Sequence, residues 1–355
     1  MGKKTDRVVF RTDADIQTVV GAFLNLHPMQ ESHFSVREGG GRLYVNRFCK
    51  ASGRFISAAA RDDDVRNADI VCLGGYDHEG ERIGAMTRAA LSLTRLGPDS
   101  PTDSRPAMMD ARQKRSYSVL VHQPVYDGRT RVEEVYNWNI NKKHISSEME
   151  YFAAQLWQHR FLDNQGRLKP VTQFRGFSLL TYSMGARNGW MLANALERRL
   201  TDAGKSQEQV QEYFSKMRQV NIGASVDWER RPVNTPSIPN ITILHPDDTG
   251  MAYRDSFSVT VDRMAKQFSG STPPFVEEDL VNWPRHKLVL LNPYYVPKEV
   301  DGKQNMNMHG LFEYLTGISM AMNKTDELGK IKSYLTMSGH YQGARGEGAD
   351  RQMGG

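Results

Sequence analysis

The sharpest change of pattern along the chain falls between residues 177 and 196. Phe177, Leu179, Leu180 and Tyr182 form an apolar run with the length and bulk of a buried strand. The run stops at Ser183-Met184-Gly185. From Ala186 onward, small and apolar residues recur at helical spacing: Ala186, Trp190, Ala193, Leu196 and Leu200. The pattern therefore predicts a strand that turns directly into a helix. Similar units flank it. Residues 68–77 read as a strand that breaks at the Gly74-Gly75 pair, and helical periodicity follows over 80–96. Residues 118–126 read as a further strand, and 147–161 as the helix that leads into the 177–182 run. Downstream, buried strands are predicted over 219–228, over 240–251, where the run ends on Asp247 and Asp248, and over 287–296. An amphipathic segment over 311–322 comes last. Nearer the start, 7–11 reads as a short strand, 15–26 as a helix, and 42–48 alternates like a half-exposed strand. Strands alternating with helices predict an α/β fold: a mostly parallel central sheet with helices on both faces.

The polar residues at the ends of these strands are the candidate chemistry. A serine on a tight strand-to-helix turn is held clear of the sheet, and the helix N-terminus stabilises negative charge beside it. Ser183 has that setting. Asp248 opens a loop after the 240s strand, with Asp247 as second choice and Asp227, after the preceding strand, as third. His309 follows the last strand in a Met308-His309-Gly310 loop, whereas His286 precedes that strand and is expected at the opposite edge of the sheet. The chain order is thus serine, aspartate, histidine. A serine hydroxyl is a poor nucleophile at neutral pH, so an imidazole must take its proton, and a carboxylate must hold that imidazole in the right tautomer.

The segment Thr181-Tyr182-Ser183-Met184-Gly185-Ala186 and the order Ser183, Asp248, His309 resemble the α/β-hydrolase superfamily. The likeness covers roughly residues 66–325 and is closest to bacterial members of unknown substrate. It implies an α/β-hydrolase-like fold and a serine hydrolase (esterase, lipase or thioesterase-like) that cleaves an ester, thioester or amide of a small-molecule or acyl substrate. It also implies an oxyanion hole of backbone N–H groups from Met184 and from Gly75 or Tyr76. The chain departs from the G-x-S-x-G pattern at Thr181, where a β-branched side chain is expected to strain or reshape the turn. Gly74-Gly75 stands where a His-Gly motif is common. The alternative is a catalytically silent member of the fold used for binding or assembly.

Composition changes this picture little. The 355 residues suffice for one large core, or a main domain with a cap. Residues 66–335 are expected to form the core domain, with loop insertions at 97–116 and 229–239. Residues 1–65 are either the start of the sheet or a small extra module, and the Gly-rich segment 336–355 is expected to be disordered. The net charge of +5 raises the question of nucleic acid. Scattered Lys and Arg without an aromatic-interleaved stripe or an RNA-binding signature argue against that partner. His78 with Asp77 and Glu79, and His245 near Asp247, lack metal-ligand spacing, so no metal and no cofactor are expected. Two cysteines, Cys49 and Cys72, make no disulfide framework. The basic N-terminal residues lack the apolar core of a secretory signal, and no apolar stretch is long enough to span a bilayer, so the expected location is cytoplasmic. No pattern specifies an oligomeric state.

Overall fold

The computed structural model describes residues 42–49, 54–75, 86, 119–123, 144–224, 236–246, 248, 254–280, 285–295, 299–300, 303–304, 314 and 318. In chain order its elements are β1 (Arg42–Cys49), β2 (Arg54–Ala59), α1 (Asp62–Asn67), β3 (Ile70–Leu73), β4 (Val119–Gln123), α2 (Ser147–Leu156), β5 (Ser178–Tyr182), α3 (Gly185–Asp202), α4 (Gln207–Ser215), β6 (Arg218–Ile222), β7 (Asn240–Leu244), α5 (Arg254–Ala265), β8 (Phe275–Asp279) and β9 (His286–Leu291). A short hairpin, β10 (Glu299–Val300) and β11 (Lys303–Gln304), follows.

The first nine strands form one sheet in the order β2-β1-β4-β3-β5-β6-β7-β9-β8. From β4 to β9 every neighbour pair is parallel. Antiparallel strands complete both edges, β1 with β2 on one side and β8 on the other. This is an α/β protein with a mostly parallel sheet. Every residue of β3, β5 and β7 is buried, as in a parallel sheet covered on both faces; β3 accordingly reads as an unbroken apolar run, whereas β5 and β7 also bury Ser178, Thr181, Asn240 and Thr242. The edge strand β8 instead carries Glu277, Glu278 and Asp279. Lys287 pairs with Glu277 at 3.2 Å, and Arg263 of α5 pairs with Glu278. Charge on an exposed strand discourages a second chain from pairing there.

The order β4-β3-β5 sets the geometry of the site. The chain leaves β3 to form β4 on one side, then returns to lay β5 against the other side of β3 and continues outward through β6 and β7. Connections therefore diverge at the C-terminal ends of β3 and β5. In open α/β sheets, such a switch point leaves a crevice in which ligands bind.

Helix ends follow their local chemistry. The Ser146 hydroxyl accepts the Met149 N–H at the start of α2, and Ser206 with Gln209 closes a capping box on α4. Helix α2 does not run on regularly to Phe161. Past Leu156 it widens into a π turn, Trp157–Phe161, which places the buried Arg160 among the carbonyls of Val65, Ala68, Arg175 and Gly176. The guanidinium also lies 4.7 Å from the centre of the Phe177 ring. One arginine thus ties the entry of β3 to the entry of β5. Helices α4 and α5 and strand β8 were not legible in the periodicity. Strand β6 ends at Ile222, short of the predicted Trp228.

Candidate active site

Ser183 is the residue at which strand becomes helix. Its N–H donates to the Ile222 carbonyl at 3.0 Å, extending the β5–β6 ladder by one residue. Its own carbonyl accepts the Ala186 N–H at 3.2 Å and opens the first turn of α3. Held by the sheet on one side and the helix on the other, the residue adopts φ 53, the left-handed region. That conformation costs a non-glycine residue on the order of 1–2 kcal/mol and persists only where the surroundings over-determine it.

Two glycines bring β3 up to this turn. A Cβ on Gly185 would collide with the Leu73 carbonyl oxygen, so the start of α3 rests directly on the end of β3. A Cβ on Gly75 would sit 3.0 Å from Ser183 Cβ and 3.2 Å from the Tyr182 carbonyl oxygen. The backbone leaving β3 therefore passes beside the serine, with no room for a side chain. Met184 occupies the N-cap of α3 and supplies no side-chain cap. The first turn carries no acidic residue. Its positive end is thus left to act on whatever negative charge develops beside Ser183.

Thr181 lies in β5 two residues before Ser183 and is fully buried. Its Cγ2 packs where a Cβ on Gly189 would come within 3.2 Å, so the helix makes the room. Its hydroxyl donates to Asn221 Oδ1 at 2.6 Å, the first bond of a buried polar chain. Gln219 Nε2 donates to the same oxygen at 2.7 Å, Asn221 Nδ2 donates to Thr242 Oγ1 at 3.1 Å, and Thr242 Oγ1 meets His286 Nε2 at 2.8 Å. The chain crosses β5, β6, β7 and β9. His286 is the first residue of β9, at the end of the parallel strands opposite to Ser183, as its sequence position predicts. Burial pushes its imidazole down to about 3, so it stays neutral.

Asp248 lies just past β7 and is 2% exposed. Its N–H donates to the His245 carbonyl at 3.1 Å. Its Oδ2 accepts the hydroxyl of Tyr314 at 2.7 Å, and the Tyr314 oxygen accepts the His245 N–H at 3.1 Å. The Tyr314 ring also covers Gly223 at the end of β6. One tyrosine therefore joins the Asp248 carboxylate to the His245 backbone. Sequence reasoning missed Tyr314; the amphipathic pattern around it marked a helix but not a hydroxyl with two buried partners. His309, Asp247, Asp227 and Tyr76 lie outside the described residues. Of the named candidates, Ser183, Met184, Gly75 and Asp248 can be placed, and all lie at the C-terminal ends of β3, β5 and β7.

No protein-family model matches the chain, and no curated protein matches it in sequence. Among the described residues no group of three or more His, Cys, Asp or Glu is placed to hold a metal ion. No helix among them is long and apolar enough to cross a membrane. Chemically, the arrangement offers a hydroxyl on a strained turn, uncapped backbone donors beside it, and a buried carboxylate two strands away.

Proposed function

We propose that the protein is a serine hydrolase of the α/β-hydrolase type, cleaving an ester, thioester or amide. The observation that carries this reading is the left-handed Ser183 on the β5–α3 turn with the Gly75 backbone against it. A strained serine whose Oγ stands at the switch point of a parallel sheet is the geometry nucleophilic attack requires. Ser183 attacks the substrate carbonyl carbon. His309 takes the hydroxyl proton as general base and returns it to the leaving group. Asp248 orients the imidazole, and the N–H groups of Met184 and of Gly75 or Tyr76 stabilise the oxyanion.

Strand spacing supports the division of roles. With β6 between them, the ends of β5 and β7 stand about 9.5 Å apart. One imidazole with a hydrogen bond of about 2.9 Å on each side spans such a gap. His309 lies five residues before Tyr314, so even a fully extended chain keeps it within about 18 Å of the residue bonded to Asp248.

Fluorophosphonate labelling of the intact protein tests the reading. An adduct at Ser183, located by peptide mass spectrometry and lost in Ser183→Ala, is the expected result. Asp248→Asn should then lower kcat on the order of 10⁴-fold while leaving the protein folded, with Asp247→Asn and Asp227→Asn costing far less. An adduct at another serine overturns the assignment of the nucleophile. No labelling with probes of several sizes returns the protein to the binding or assembly alternative.

A further inference from the structure

Among the described residues two arginines, Arg160 and Arg187, are buried to the same degree, each 3% exposed, and their Nη groups are held differently. Arg160 is surrounded by four carbonyl oxygens and an aromatic face. Arg187 has no such partners. Its Nε and Nη2 are buried and make no hydrogen bond, and among the described residues no carboxylate pairs with it. A buried guanidinium cannot shed its charge as a buried acid or amine can. Left uncompensated it is among the most unfavourable groups a protein interior can hold. At Arg160 the same fold shows both Nη groups of a buried arginine held by carbonyl oxygens.

Arg187 follows Ser183 by four residues. It sits in the first turn of α3, one turn beyond Ser183. The uncapped N–H groups of that turn add positive potential, and no acidic side chain in the turn offsets it. Helix α1, by contrast, carries Asp62, Asp63 and Asp64 in its first turn. The α3 N-terminus is built without the neutralisation that α1 has.

We propose that Arg187 is the counter-cation for an oxyanion-bearing group, carboxylate or phosphate, carried by the substrate close to the bond that Ser183 attacks. The inference rests on the hydrolase reading and narrows its substrate class to anionic esters, thioesters or amides. Arg187 then acts in binding and specificity: its planar fork takes two oxygens of the anion and draws the substrate onto the α3 N-terminus.

A binding measurement separates this proposal from the hydrolase reading. In the full-length Ser183→Ala protein, inorganic phosphate or succinate, compared with chloride at matched ionic strength, should raise Tm. The Ser183→Ala/Arg187→Met double variant should lose that rise. Whether phosphate or succinate gives the larger shift distinguishes the two sources of the charge. The second arm compares hydrolysis of a neutral aryl butyrate with the matching aryl hemisuccinate. The ratio of kcat/KM, anionic over neutral, should fall about 10- to 100-fold in Arg187→Met, the range expected for a hydrogen bond to a charged group. Should Arg187→Met fail to fold, Arg187→Lys keeps the charge but not the fork, and the ratio should fall by a smaller factor. Phosphate protection that depends on Arg187 without labelling of Ser183 leaves the anion site standing and sinks the hydrolase. Labelling of Ser183 with neither anion protection nor a change in the ratio overturns the anion site.

Discussion

At Ser183 a single dihedral joins stability to chemistry. The sheet holds its N–H and the helix holds its carbonyl, so the residue is forced to φ 53 whatever its side chain. Glycine occupies that region freely, at the expense of extra entropy in the unfolded chain. Ser183→Gly should therefore leave the unfolding free energy unchanged or raise it by up to about 1 kcal/mol. Most buried polar substitutions lower stability instead. Urea unfolding checks this, and a loss above about 1 kcal/mol shows that the hydroxyl is a structural bond and the turn unstrained. Gly75→Ala works in the other direction. Its new Cβ meets Ser183 Cβ at 3.0 Å, so the serine or the β3 exit must move. Fluorophosphonate labelling should slow at least about 10-fold, since displacements near 1 Å cost that much or more in positioned reactions.

Between elements, the buried chain Thr181–Asn221–Thr242–His286 binds four strands through side chains rather than backbone. Such a chain suits a sheet only when each member has its partners, because an unpaired buried polar atom costs about 1–3 kcal/mol. Thr181→Val keeps the shape and removes the hydroxyl. It should lower stability by about 1 kcal/mol, with Gln219 still serving Asn221 Oδ1. Thr181→Gly restores the usual elbow residue but empties the space beside Gly189 and loosens the strand. Its loss should be larger, about 2 kcal/mol. Denaturant midpoints of the two variants decide between this account and steric crowding. A stabilised Thr181→Gly would mean that threonine strains the turn.

For the molecule as a whole, acid should be the destabilising direction. His122 and His286 are fully buried, and burial pushes both down to about 3 from an ordinary value near 6.5. Between those values the unfolded chain binds a proton at each site and the folded chain does not. Unfolding free energy therefore rises with pH across that window. It is lost as pH falls from about 6.5 toward 3, by about 1.4 kcal/mol per pH unit for each histidine. Above about 7 the two histidines should contribute no slope. His122 stacks on Phe152 with ring centres 5.1 Å apart, so His122→Phe, which keeps an aromatic ring, should remove close to one proton from the pH dependence of the urea midpoint. An unchanged slope would show that His122 is protonated in the folded protein.

Much of the architecture was legible because it is local. A run such as Ser178–Tyr182 followed by helical spacing from Ala186 states its own burial and period. The same holds for β3, β4, β7 and β9, and for the placing of His286 at the start of β9. What escaped is non-local. Helices α4 and α5 and strand β8 are short or polar-faced, and their apolar positions acquire meaning only against neighbours far away in sequence. Strand order is another such property: the β4-β3-β5 arrangement that makes the switch point depends on which backbones pair across the sheet. The residues that define the candidate site follow the same division. Serine on the turn could be read from the chain. Its φ depends on a carbonyl of β6, the setting of Thr181 on Gly189 and Asn221, and the hold on Asp248 on Tyr314, 66 residues away. Arg187 is one of many arginines in the sequence; its isolation exists only once the interior closes around it. Periodicity encodes which face of a segment avoids water, whereas pairing, strain and the satisfaction of a buried charge arise only when distant segments meet.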